Sequence, residues 1–475
     1  MLRVASRTDM SEHPSPALDA ERVEARLRAR LEPEPELLAR LAEVRANLVR
    51  AVGQAARERK SPLSRALIAG SAARGTFLKD RLDVDLFMLF PPTLSREELS
   101  HHGLGLAEAV LTAPERRYAD HPYLRGSFQG FTVDAVPGYA VTDPSHPLSP
   151  VDRTPFHDEY LRAHETAAMV ADVRVAKQFL RGLEVYGSEA RTQGFSGYLV
   201  ELLVLQFGGF HALVESARTW RIPARIRPAS EDPPRLPEEV ALILADPVDP
   251  HRNVASALSR RNLALFVLAA DAYLAEPSEN WFRTPANPML TRADALVRVA
   301  DRGTAVVVVE LPRPSLVDDT LYPQIRKAQR ALAEEVGRAG FTVLGSASAA
   351  GVKGVLVALE VASGTLPAVR LQDGPPVGLD RVGSFLEKWT HSGARVLQGP
   401  YVDEDGRLAV ETRRPEREIV PTIQQLLPRL SLGKNLTPGV HTLPPVRPLA
   451  DQPDSPELDR VLTELFGKHL PWRRS

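Results

Sequence analysis

The stretch LIAGSAARGTFLKDRLDVDLFMLF, Leu67 to Phe90, holds two apolar runs separated by a turn of small residues. Leu67 to Ala69 and Leu82 to Phe90 have the composition of strands, and Gly70, Ser71, Arg74 and Gly75 lie between them. Residues two apart on a strand share a face, so Asp83 and Asp85 point together while Leu82, Val84 and Leu86 point to the other side. Two carboxylates on one face repel, and the arrangement is costly without a cation between them. Hard oxygen ligands of this kind favour Mg²⁺ or Mn²⁺. Gly70 and Ser71 let backbone N–H groups and one hydroxyl approach an anion where a helix begins. A lone Asp-x-Asp is more often the wet face of an amphipathic strand. The ordered combination of strand, Gly-Ser turn, helix and Asp-x-Asp strand is what points to metal-assisted phosphoryl transfer.

The chain around this stretch has 475 residues, more than one core supports, so two to four domains are expected. Hydrophobic residues make up 43% and charged residues 25%, the balance of a globular protein. With 59 basic and 60 acidic residues, any polyanion site must be a local patch rather than a uniformly basic surface. There is no cysteine, which excludes disulfides, thiolate metal sites and cysteine nucleophiles. Apolar runs are broken by Glu201, Gln206 or Asp271, and the N-terminus lacks a signal-peptide core, so a cytoplasmic protein is expected.

Two helices are expected between Glu21 and Arg59, broken near Glu32 to Pro35 and packed against the sheet of the Asp-x-Asp strand. Ser95 and Glu98 are spaced as the capping box of a further helix, Ser95 to Leu111. Tyr118 to Leu124 and Phe131 to Val136 read as strands around a turn containing Gly126 and Gly130. Asp134 stands in the second of these among apolar neighbours, and an adjacent strand could bring it to Asp83 and Asp85. Two-metal phosphoryl transfer needs such a third carboxylate, for ions about 3.5–4 Å apart.

From Val151 the texture becomes helical. Lys177 lies in an amphipathic helix, Tyr186 just past its end, and Ser196 opens the next helix. Taken singly, these are most often a solvated lysine, a packing tyrosine and an N-cap. Arg218, Arg221, Arg225 and Arg227 form either a phosphate-facing patch or a solvated face. Ile243 to Leu258 reads as strand, turn and helix, and from Ala305 a helix is expected on one face of a mostly antiparallel sheet. A proline-rich linker, Pro438 to Pro456, precedes a last helix.

Several blocks together are specific enough to carry a resemblance: GSAARGTFLKDRLDVDLFMLFP (70–91), HPYLRGSFQGFTVDAVPGY (121–139), VDRTPFH (151–157), KQFLRGLEVYG (177–187), GFSGYLVELL (194–203), DPVDPHRNVA (246–255), RGTAVVVVELPRP (302–314), VDDTLYPQ (317–324) and LGKN (432–435). In these the chain resembles the archaeal-type (class I) CCA-adding enzymes, tRNA nucleotidyltransferases of the DNA polymerase β superfamily. The resemblance implies an α+β, multidomain chain whose polymerase β-like nucleotidyltransferase head has a mixed sheet. The implied divisions are a catalytic head (1–147), a helical neck (148–280), an α+β body and tail that bind tRNA (281–420), and a C-terminal linker and helix (421–475). It implies addition of C, C and A to the tRNA 3′ end from CTP and ATP, with Mg²⁺, and a homodimer.

By the same resemblance Asp83, Asp85 and Asp134 are the metal ligands. Ser71, Arg74, Lys177 and Tyr186 would hold the triphosphate, while His121, Thr154, His157, Ser196 and Tyr198 line or support the pocket. Arg252 would hydrogen-bond the incoming base, alongside a tRNA phosphate. The chain departs from the family in Ala72 and Phe77, which replace the usual Tyr and Trp, and in Leu430 and Ser431, which replace an aromatic and histidine pair. Two other readings are a related transferase acting on a different RNA 3′ end and a non-catalytic RNA-binding protein on the same scaffold.

Overall fold

The computed structural model describes residues 16–118, 122–226, 240–284, 286–352, 354–391, 393–437 and 443–473. It divides into two compact units, 1–286 with 470–475, and 287–469.

In the first unit, α1 (Pro16–Leu31) and α2 (Pro35–Glu58) are separated at Glu32 to Glu34, with Pro35 in the first turn of α2 where a missing N–H costs nothing. A mixed five-stranded sheet follows, with an N-capped helix within it: β1 (Arg65–Ala69), the single turn α3 (Ser71–Arg74), β2 (Asp83–Phe90), α4 (Arg96–Val110), β3 (Thr112–Tyr118), β4 (Pro122–Phe128) and β5 (Phe131–Tyr139). The strand order is β1-β2-β5-β4-β3, and only the β2–β5 pair is parallel. Val84, Leu86, Met88 and Phe90 bury one face of β2 in a core shared with Leu41, Val44 and Leu48 of α2 and Leu104 of α4. Phe87 and Leu89 point to the opposite face, the side of Asp83 and Asp85. The capping box of Ser95 and Glu98 is formed as expected.

Two expectations for this region change. Of the first two helices only α2 packs on the sheet; Ala20, Val23 and Leu27 of α1 belong to a separate helical core. The stretch Tyr118 to Leu124 is not one strand: Tyr118 ends β3, Pro122 to Leu124 open β4, and 119–121 lie outside the described residues; Gly126 lies within β4, while the turn falls at Gln129 and Gly130.

That helical core gathers α5 (Thr154–His164), α6 (Ala167–Gly182), α7 (Gly197–Phe207), α8 (Phe210–Ala217) and a later helix, α9 (Arg260–Ala275). Phe179, Phe210, Tyr273 and Phe282 meet there with ring centroids 5.4 to 5.9 Å apart, the spacing of favourable edge and tilted contacts. Between α8 and α9 lie β6 (Ala224–Ile226), β7 (Leu242–Asp246) and β8 (Asp249–Asn253). The helix expected at the end of Ile243 to Leu258 is therefore absent: Asp249–Asn253 is a hairpin strand, and α9 starts only at its Ser259 cap. Pro247 and the Asp246 side chain, which accepts from Val248 N, tighten that hairpin turn. Arg218 of the arginine-rich span pairs with Asp271 at 2.9 Å; Arg227 lies outside the described residues.

The second unit comprises α10 (Arg292–Arg302), β9 (Ala305–Pro312), α11 (Asp318–Arg338), β10 (Val343–Ala350), β11 (Gly354–Val361), β12 (Val369–Pro376), α12 (Val382–Thr390), β13 (Val396–Val402), β14 (Arg407–Arg413), α13 (Ile419–Leu426), β15 (Val446–Pro448) and α14 (Pro456–Phe466). Its larger sheet has order β10-β11-β9-β15, and a smaller one has order β12-β14-β13. Helices cover both faces of the larger sheet, not one. Val307, Val309 and Leu311 pack on Leu321, Ile325 and Leu332 of α11, whereas Val306 and Val308 pack on Val461 and Leu462 of α14. This is why AVVVVEL is apolar at consecutive positions. The stretch expected as a proline-rich linker contains β15, an edge strand on β9 in which Val446 is buried. Proline tolerates that place because an edge strand has N–H groups that need no partner. Among the described residues no single helix is long and apolar enough to cross a membrane.

Candidate active site

The β2–β5 register places Asp85 directly beside Asp134, with Asp83 two residues earlier beside Thr132. On the far side of β5, Arg125 of β4 is registered with Asp134. Its Nε and Nη2 donate to the two Asp134 oxygens at 2.7 and 2.6 Å, and Nη2 also donates to Asp83 Oδ2 at 3.1 Å. Asp85 has a different environment. Burial, followed by the charges of Asp134 and Asp83, pushes its carboxyl up to about 7.

The turn before α3 shapes this carboxylate. Gly70 has φ +75°, and a Cβ built on it would lie 2.3 Å from Asp85 Oδ2, closer than atoms can approach. Only glycine serves there, on both counts. Gly70→Ala is therefore expected to shift Asp85 and weaken Mn²⁺ binding by about tenfold, the usual effect of disturbing a ligand's support. A Mn²⁺ titration followed by electron paramagnetic resonance reads this directly, and unchanged affinity would show that the turn does not set the carboxylate.

Among the described residues no three acidic or histidine side chains are already closed around one point as a metal cage. The Arg125 fork turns Asp134 and Asp83 toward itself and supplies the countercharge. The donor set nevertheless fits a hard divalent cation: Asp83 and Asp85 of β2 and Asp134 of β5 line one cleft, and Asp85 carries the electrostatic strain that such an ion relieves.

Ser71, Asp83, Asp85, Asp134, Tyr186 and Ser196 line a single cleft of about 260 Å³ between the sheet and α7. Ser196 also caps α7, accepting from Leu199 N at 3.1 Å. Because α3 is one turn, it has little dipole to offer, and an anion there must rely on the Ser71 hydroxyl and neighbouring side chains. Gly197 forms part of the cleft wall, and a Cβ built on it would lie 3.4 Å from the Tyr186 hydroxyl and 3.8 Å from Lys177 Nζ.

Lys177 and Arg74 do not line the cleft; they converge behind it on Glu201, a residue the sequence left unassigned. Lys177 Nζ reaches Glu201 Oε1 at 2.8 Å and the Thr76 carbonyl at 3.0 Å. Arg74 pairs with Glu201 Oε2 and with Asp158. Burial alone would raise the Glu201 pKa, but the charges of Lys177 and Arg74 prevail and hold it at about 2. Glu165 completes the group, 3.9 Å from Arg74 Nε. Burial and then the Glu201 charge push it up to about 7 from an ordinary 4.5.

A raised carboxyl pKa means that folding favours the protonated form. The Glu165 contribution to stability is thus fully present below about 4.5 and is lost as pH rises through about 7. Glu165→Gln, neutral at every pH, is expected to match the parent's melting temperature near the acid end of that window and exceed it at pH 8. Thermal melts across the range test this, and parallel curves for the two proteins would refute it.

A second cluster forms around Asp246, fully buried at the end of β7. It accepts from His157 Nε2 at 2.8 Å, Arg252 Nη1 at 2.7 Å and the Tyr198 hydroxyl at 3.0 Å. The rings of His157 and Tyr198 stack at 4.0 Å. Thr154 is half-buried in the first turn of α5 and is not part of the cleft wall. His121 lies outside the described residues. Sequence reasoning thus missed Arg125, Glu201 and Asp246. Glu201 had a usable signal as the one charge inside GYLVELLVLQF.

Three family models match the chain: a nucleotidyltransferase domain over residues 50–157, the second domain of tRNA nucleotidyltransferase over 171–283, and the C-terminal domain of the CCA-adding enzyme over 302–442. The CCA-adding enzyme of Haloarcula marismortui is 39% identical, over 82% of this chain and 86% of its own. That of Halobacterium salinarum is 40% identical, over 88% of this chain and 91% of its own. Among solved structures, E. coli MS115-1 CdnC with ATP aligns at 18% identity and a TM-score of 0.41, covering 55% of this chain and 94% of that one. Identity of this extent, running through head, helical core and C-terminal unit alike, places the chain in the family of CCA-adding enzymes.

Proposed function

We propose that this protein adds C, C and A to the 3′ end of tRNA from CTP and ATP, without a nucleic-acid template, using Mg²⁺. The observation that carries the reading is the registered Asp85–Asp134 pair with Asp83, facing a cleft whose back wall hides two cations. Asp83, Asp85 and Asp134 would hold the ions. A divalent metal bound there supplies Lewis-acid activation of the RNA 3′ hydroxyl and charge neutralisation on the phosphates.

The chain's own residues do the rest. Ser71 and Tyr186 take the triphosphate from the cleft surface, and Arg74 and Lys177, paired with Glu201 in the wall behind, would reach it only by exchanging those partners for phosphate oxygens. The 3′ oxygen attacks the α-phosphorus, its proton leaves to solvent, and the bond to the β-phosphate oxygen breaks to release pyrophosphate. Arg252 donates to the base, for which C and A offer acceptors where U and G present N–H groups. His157, Tyr198, Ser196, Thr154 and His121 support these groups. The divisions at 147, 280 and 420, a cytoplasmic location and a homodimer belong to the same reading.

The test is incubation of purified protein with Mg²⁺, labelled CTP or ATP, and tRNA ending before C, C or A. Extension of all three is expected. Equal extension of an unstructured RNA in competition would overturn the choice of tRNA, and no extension of any would overturn the reading.

A further inference from the structure

We propose that Asp246 is a positioning residue for nucleotide selectivity: it fixes the Arg252 guanidinium, and with it the choice of C and A over U and G. The proposal rests on the base-reading role of Arg252 given above.

A carboxylate at 0% exposure survives as a charge only if its oxygens are hydrogen-bonded. Asp246 meets that condition fully. Oδ2 accepts from His157 Nε2 and Arg252 Nη1; Oδ1 accepts from the Tyr198 hydroxyl and, at 3.2 Å, from Val248 N. Burial opposes its ionisation, yet the bonds from His157 and Arg252 keep its pKa below the ordinary value. The side chain therefore stays a fixed anion that faces only donors.

Each partner is constrained in turn. His157 loses basicity through burial, and its contact with Asp246 requires a proton on Nε2. Tyr198 spends its proton on Oδ1 and stacks on that ring. Arg252 commits only Nη1; among the described residues its Nε and Nη2 have no protein partner, and the side chain is 36% exposed. A planar fork pinned at one corner presents its other two donors in a set direction. Donors in a set direction can reject the N–H of U or G; a freely rotating arginine could swing away and tolerate them.

The cluster is also tied to the triphosphate side. His157 adjoins Asp158, the partner of Arg74, on α5, and Tyr198 is one helical turn from Glu201 on α7.

The test compares kcat/KM for CTP with that for UTP, on tRNA ending before the first C, in the whole protein. Asp246→Asn keeps the shape but offers a donor where Arg252, His157 or Tyr198 must donate, and is expected to lower the CTP-to-UTP ratio by about tenfold. Inhibition by tripolyphosphate, which lacks a base, should stay within about twofold of the parent. A merely structural role for Asp246 would weaken both. Arg252→Ala separates the two levels: if it keeps the parent's ratio, the base-reading assignment itself fails. If it loses the ratio while folded Asp246→Asn keeps it, the positioning role of Asp246 is overturned. Should Asp246→Asn not fold, Tyr198→Phe removes one of the four donors and keeps the stack. A fall of about threefold in the ratio then supports the proposal, and an unchanged ratio overturns it.

Discussion

Asp134→Asn is expected to lower nucleotide addition at least about 10³-fold, roughly 4 kcal/mol of transition-state stabilisation, while the protein stays folded. The substitution removes one of three converging carboxylate charges and leaves the side-chain volume unchanged. Its cost to stability is small for a local reason. Arg125 loses its bidentate partner, but its side chain is 38% exposed and keeps Asp83 within 3.1 Å, so it is not stranded in a dry interior. Single-turnover extension assays and circular dichroism on the same preparation separate the two effects. Retained activity above about a tenth of the parent's would place the metal site elsewhere.

Glu201→Ala has the opposite signature, a loss of stability first. Lys177, with 2% of its side chain exposed, and Arg74, with 7%, both direct their charge at Glu201. Removing one partner of a buried ion pair typically costs about 3–5 kcal/mol, because the remaining charge is left unpaired out of reach of water. For a unit of this size that corresponds to a melting temperature lower by about 10 °C. Calorimetry checks it, and a change under about 1 kcal/mol would mean that Asp158 and Glu165 suffice as counterions. Glu201→Gln adds a second readout. Its neutral side chain removes the second cause of the raised Glu165 pKa, so Glu165 should ionise at lower pH in that variant.

The Asp83–Asp85 strand was legible because its pattern is local. Alternation around Asp83 and Asp85 sets the face, and Gly70 and Ser71 adjoin them in sequence. Asp134 was legible only as a misfit among apolar neighbours, since its place beside Asp85 depends on a parallel pairing between distant strands. Arg125 escaped for a more specific reason. With a strand read over Tyr118 to Leu124, Arg125 fell in the turn, whereas β4 runs to Phe128 and carries it against Asp134. Asp246 fell in a strand and turn with no assigned role, because side-chain hydrogen bonds from three separate elements leave no periodic trace. In the second unit, the prolines around Val446 suggested a linker, because a single edge strand pairs on one side only and need not alternate.

The arrangement of α5 and α7 has one more consequence. Each helix carries a residue bound to Asp246 and, within a turn, a residue bound to Arg74. A shift of either helix therefore moves both groups together. Under the roles proposed above, Arg252 and Arg74 would thus be held as the two jaws of one caliper, their spacing set by a single pair of helices.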